Sequence, residues 1–117
     1  YRPKLQALYA TTFAQGNFDA LLFPTTSLPA VPIDKAKGSS TVRVNGGAEA
    51  DTFATFIRNT DPGSNAGIPG LSIPAGLTSE GLPVGLELDG PVGSDRRLLA
   101  IGLAMEKLLG SLTPPKI

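Results

Sequence analysis

Between Asn59 and Gly76 the chain reads NTDPGSNAGIPGLSIPAG, and no other stretch restricts the fold as tightly. Pro62, Gly63, Gly67, Pro69 and Gly70 bend the backbone or open conformations closed to other residues, so the spacing predicts an irregular turn rather than a regular element. Leu71-Ser72-Ile73 then forms a short apolar run, too brief for a helix and bounded by turn residues, and predicts a buried strand. Asn59, Thr60, Asp61, Ser64 and Asn65 are side chains that bond backbone groups in turns. Such a loop can present amide N–H groups to an anion or hold a neighbouring loop rigid, and for Asn65 a structural role is favoured. The glycine spacing is not that of a phosphate-binding loop, because no lysine and hydroxyl follow the last glycine. No nucleophile stands beside a base here.

On the N-terminal side, Leu5, Leu8, Tyr9, Thr12 and Phe13 recur at helical spacing, which predicts a helix from Pro3 to Gln15 with Gly16-Asn17 as its stop. Ala20 to Phe23 is continuously apolar and cut by Pro24, the pattern of a strand covered on both faces in a parallel or mixed sheet. Pro24 to Gly47 predicts a long irregular excursion with a short strand at Thr41–Val44, and Ala48 to Asn59 a second helix carrying Phe53, Phe56 and Ile57. Leu71–Ala75 and Val84–Leu88 read as a hairpin, the latter alternating Val84, Leu86 and Leu88 with Gly85, Glu87 and Asp89. Ser94 to Leu109 is a helix with Ser94 as N-cap, Asp95 in its first turn and Gly110 at its end, and Pro114-Pro115 forbid its extension. No internal domain boundary interrupts residues 1–117.

This is an α/β pattern, but three strands rarely make an independent sheet with helices on both faces. Charged residues are only 17% of the chain, below the roughly 25% usual in globular proteins. A small domain has the most surface per residue, so low charge implies that further protein covers part of it. A start at Tyr1 fits a chain that is processed or part of a longer one.

Lys plus Arg and Asp plus Glu balance at 10 each, with Arg96-Arg97 the sole basic doublet, which leaves counterion-release binding of nucleic acid little to work with. Absence of cysteine excludes disulfide and thiolate chemistry and suits a cytoplasmic setting; absence of histidine removes the usual base near neutrality and the commonest metal ligand. No apolar run approaches the ~18 residues of a membrane span. Neither a metal nor an organic cofactor is expected.

Lys37-Gly38-Ser39-Ser40 offers the ingredients of a serine hydrolase with a lysine base. The lysine would need an apolar setting to lose its proton, and this one lies in a polar loop beside Lys35, so a solvated loop is the weightier reading. Thr25, Thr26 and Ser27 follow the first strand, where open α/β sheets place ligands, although capping explains hydroxyls there equally well. Phe53, Phe56 and Ile57 are either core or the wall of an apolar pocket. The carboxylates Glu49, Asp51, Glu87, Asp89 and Asp95 read as solvated faces.

Three segments together resemble the C-terminal part of the amidase signature family: DALLFPTTSLPAVPI from Asp19, the asparagine-glycine run from Asn59, and GLPVGLELDGPVGSDRRLLAIGLAMEKLL from Gly81. The match runs from Tyr1 to about Leu109 and is nearest to members acting on arylacetamides. The resemblance implies the C-terminal part of a large mixed β-sheet flanked by helices, incomplete on its own. It implies a Ser-Ser-Lys hydrolase whose nucleophile and base precede this region, leaving no catalytic residue here; Ser39-Ser40 lack the flanking glycines. It also implies a substrate side formed by Phe53, Phe56, Ile57 and Thr60, with Thr25 and Thr26 near the same region. The partners implied are a small amide, the rest of the enzyme and, as in many members, a second copy in a homodimer. The competing expectation is a non-catalytic module that completes a sheet or binds a partner chain.

Overall fold

A computed structural model describes residues 1–36, 38–110 and 112–113. The elements are α1 (Arg2–Gly16), β1 (Leu21–Pro24), β2 (Thr41–Arg43), β3 (Glu49–Asp51), α2 (Thr52–Ile57), α3 (Asp61–Ala66), β4 (Gly70–Leu77), β5 (Pro83–Asp89) and α4 (Asp95–Leu109). The last strand in sequence is the middle one in space, in a three-stranded sheet of order β1-β5-β4. Both pairings are antiparallel, with Leu22 opposite Leu88 on one side and Leu71 opposite Leu88 on the other. The hairpin read from the alternation of β5 is present. A parallel partner for β1 is not found among the described residues, and Leu22 is 53% exposed rather than covered on both faces.

The two faces of the sheet differ in kind. Leu71, Ile73, Leu86 and Leu88 share one face, and α4 lies across it with Leu98 buried and Gly102 so close to Leu71 that a β-carbon there would collide with it. Gly70, Ser72, Gly85, Glu87 and Asp89 share the other, over which α3 and α1 pack: Gly63 of α3 abuts the Asp89 carboxylate, and Gln6 of α1 donates to the Ala66 carbonyl at 2.8 Å. Phe13 anchors α1, stacking on Tyr9 with ring centroids 6.4 Å apart. α1 ends as its sequence demands, with Asn17 in the left-handed region at φ 49°.

Three local expectations need correction. Residues 48–51 are not the start of a helix: Glu49–Asp51 pairs with Thr41–Arg43, and Asp51 then caps α2 by accepting from the Ala54 amide at 2.7 Å. The Asn59–Gly70 run is not wholly irregular, because Pro62 fits a first helical turn and Gly67, at φ 74°, ends the six-residue α3. Ser94 occupies the N-cap position of α4 but makes no capping bond; its buried Oγ lies against Gly90. Gly110, at φ 80°, closes α4 as read. Pro114 and Pro115 lie outside the described residues.

Candidate active-site surface

β1 ends at Pro24, and the chain turns immediately, putting Thr25 and Thr26 at the strand's carboxyl end. The Thr25 amide continues the ladder by donating to Gly85 at 3.0 Å, which holds its side chain over β5. Its Oγ1 lies 2.6 Å from Oγ of Ser72 on β4. Thr25 thus ties the end of β1 to both other strands, by its amide to β5 and by its hydroxyl to β4. Gly85 beneath it leaves the space: a β-carbon there would stand 2.9 Å from Thr25 Oγ1 and 3.1 Å from Ser72 Oγ. Thr26 turns away and donates to the Leu28 carbonyl at 2.7 Å.

The same strand end is tied to the helices. Asn59 Nδ2 donates to the Pro24 carbonyl at 2.8 Å, which brings the α2–α3 junction beside Thr25. Thr60, at that junction, donates to the Ile57 carbonyl at 3.3 Å, so its hydroxyl is committed to its own helix. Within α2 the fully buried residue is Thr55, 2% exposed, with its hydroxyl on the Asp51 carbonyl at 2.7 Å. Phe56 and Ile57 are half-buried and Phe53 is 73% exposed. The helix therefore leaves Phe53 outside what the chain itself buries, while Phe56 and Ile57 are partly covered.

Asp89 is buried, and Glu87 is half-buried. Asp89 is 3% exposed, its Oδ2 has no hydrogen-bond partner, and burial, followed by repulsion from Glu87, pushes its carboxyl up to about 6. Burial also raises Glu87, opposed by the hydrogen bond from Thr25. Tyr9, across the face on α1, is raised by burial first and then by the Asp89 and Tyr1 charges. The alternation of β5 carried this information: in a strand covered on both sides, the second face is interior too. Ser72, Glu87, Asp89 and the link from Asn59 are what the sequence reading missed.

Lys37 lies outside the described residues. Ser39 Oγ accepts from the Asp34 amide at 3.1 Å, a loop-bracing role. Among the described residues no group of acidic, histidine or cysteine side chains is placed to hold a metal ion, and no helix is long and apolar enough to cross a membrane.

A hairpin-centred antiparallel sheet with helices on both faces makes this an α/β segment. The sequence matches the Amidase family over residues 1–99, and the chain belongs to that family. It is 49% identical over 117 residues to an indoleacetamide hydrolase of Agrobacterium vitis, covering 100% of this chain and 24% of that protein. It is 44% identical over 110 residues to a mandelamide hydrolase of Pseudomonas putida, covering 93% of this chain and 20% of that protein. A crystal structure of an amidase superposes with a TM-score of 0.75 at 35% identity, over 92% of this chain and 24% of that one. The chain spans about a quarter or less of the length of the curated relatives it matches.

Proposed function

We propose that these residues form the C-terminal, substrate-side part of a serine amidohydrolase that converts arylacetamides to the carboxylic acid and ammonia. The observation that carries the reading is the 49% identity over the whole chain to an indoleacetamide hydrolase, joined by 44% to a mandelamide hydrolase. Both named activities cleave a primary amide attached to an aryl-bearing carbon. In this reading a serine, deprotonated through a second serine and a lysine, attacks the amide carbonyl; ammonia leaves, and water releases the acid from the acyl-enzyme. All three groups belong to the part of the enzyme outside this sequence.

What this chain contributes is the acyl-group side of the pocket. Phe53, Phe56, Ile57 and Thr60 form its wall, with Thr25 and Thr26 at the adjoining strand end. The 73% exposure of Phe53 supports this, since a large aromatic left outside the chain's own core is available to an aryl ligand or to the rest of the enzyme. The whole is one segment without an internal domain boundary, working in the cytoplasm as part of a homodimer.

The test is ammonia release from 2-phenylacetamide, mandelamide and indole-3-acetamide by the full-length protein, with acetamide as the aliphatic reference. In the Ile57→Ala variant the ratio of kcat/KM for 2-phenylacetamide to that for acetamide is expected to change about tenfold, the size of one or two methylenes in an apolar pocket. An unchanged ratio removes Ile57 from the pocket. Failure of the wild type on every arylacetamide favours the second reading, a non-catalytic module that completes a sheet for a partner chain, to which the exposed apolar residues of α4 would also be suited.

A further inference from the structure

The turn that joins β2 to β3 carries a reactive pair of neighbours, Asn45 and Gly46. It is closed by the Gly47 amide on the Val44 carbonyl at 2.9 Å. Both central residues lie at positive φ, 51° at Asn45 and 71° at Gly46, the backbone that an Asn-Gly pair favours. Both are exposed, and nothing stands within 4 Å of where a β-carbon on Gly46 would be. Neither the Asn45 side chain nor the Gly46 amide has a hydrogen-bond partner among the described residues. An asparagine followed by an unshielded glycine nitrogen is the arrangement in which backbone attack on the side-chain amide meets least hindrance. The other asparagines lack it. Asn17 precedes the bulky Phe18, Asn59 donates to the Pro24 carbonyl at 2.8 Å, and Asn65 donates to the Asp61 carbonyl at 3.0 Å from within α3.

The hairpin around the turn is short, with Thr41, Val42 and Arg43 facing Asp51, Ala50 and Glu49, and α2 is its main neighbour. A two-stranded ribbon of this size is marginal in water and opens locally at little cost. Opening frees Asn45 to swing its amide carbon onto the Gly46 nitrogen. The first turn of α2 depends in its turn on the hairpin: the Ala54 amide donates to Asp51 at 2.7 Å, and the Thr52 amide to the Ser40 carbonyl at 3.0 Å.

We propose that Asn45 is a spontaneous deamidation site whose isoaspartyl product loosens α2. The Gly46 nitrogen gives up its proton to solvent and bonds to Cγ of Asn45. The Cγ–Nδ2 bond breaks, and that nitrogen leaves as ammonia, its added proton coming from water. A second water then opens the cyclic imide. Attack at Cγ gives aspartate, which tolerates a left-handed backbone and keeps the turn. Attack at the main-chain carbonyl carbon gives isoaspartate, in which the chain runs through Cβ and Cγ and is lengthened by a methylene. The closing bond from Gly47 to Val44 no longer spans such a residue, so the pairing of Arg43 with Glu49 is lost and the ties to Ala54 and Thr52 weaken. The turn thus limits the working lifetime of the helix that bears Phe53, Phe56 and Ile57.

The experiment holds the full-length protein in mildly alkaline buffer and follows it by peptide mass mapping, with fragmentation that separates aspartate from isoaspartate, and by amide hydrogen exchange. Asn45→Gly is aged beside it, because glycine accepts the positive φ of the turn and has no amide to lose. In the wild type, acid is expected to accumulate at Asn45 severalfold faster than at Asn17, Asn59 or Asn65, and exchange from Thr41 to Ile57 speeds up as isoaspartate appears. Asn45→Gly should show no such acceleration. An Asn45 that stays amidated, or turns acidic no faster than Asn17, overturns the assignment, as does exchange that rises equally in Asn45→Gly. Isoaspartate at Asn45 with exchange unchanged overturns the link to α2. Neither readout needs catalysis, so the result is independent of whether the protein hydrolyses arylacetamides.

Discussion

Asp89 is the residue at which the chain departs furthest from ordinary burial rules. A carboxyl 3% exposed, with one oxygen unpartnered and a second carboxylate two residues away, favours its neutral form. Its pKa is about 6 in the fold against an ordinary 3.8, so the folded protein holds this proton more tightly than the unfolded chain. The stabilising contribution is complete below about pH 4, declines as pH rises towards 6, and is gone above that; a shift of this size corresponds to at most about 3 kcal/mol. In the full-length protein, urea midpoints measured from pH 4 to 7 should fall across this window. In Asp89→Asn this part of the fall should vanish, and a slope identical to wild type would mean that Asp89 is ionised throughout.

Among the elements, α4 shows most clearly how far a pattern can be read. Its apolar positions, its Asp95 start and its Gly110 stop are all visible in sequence, and Leu98 lands in the core as the periodicity requires. Truncating that side chain in Leu98→Ala should cost about 3 kcal/mol, measured as a loss of urea stability in the full-length protein. A cost below about 1 kcal/mol would show that the helix does not depend on this contact. The hairpin of β4 and β5 was legible for the same reason, a clean period of two. What was not legible follows from context. Glu49–Asp51 has no strand pattern of its own and is extended because Thr41–Arg43 pairs with it. Asp61–Ala66 carries a proline and a glycine, and its helix depends on packing against α1 and the sheet rather than on propensity. Phe53 and Ile57 were recognisable as candidates, but the Thr25–Ser72 contact was not, because a residue just past β1 and a side chain of β4 meet there only after the sheet has formed.

At the scale of the molecule, the chain leaves a large share of its apolar side chains uncovered. Leu99 and Leu103 lie one turn apart on the outer side of α4 and are 60% and 55% exposed, and Leu22 is open at the edge of the sheet. With extents of 47 × 37 × 22 Å the chain is a thin slab. Expressed by itself, it should therefore associate, and light scattering during gel filtration is expected to give masses well above 12.0 kDa. A sharp monomer peak would indicate that these leucines are tolerated in water. It should also show no amide hydrolysis.

The strand order β1-β5-β4 also imposes an order in time. Leu21 pairs with Asp89, so β1 has no β5 to pair with until nearly the whole segment has followed it, whereas β4 and β5 close a local hairpin as soon as both are made. The β1–β5 pairing must therefore wait while the residues from Thr25 to Pro83 are made, and more. The contact between Thr25 and Ser72 forms only when that strand docks on the hairpin.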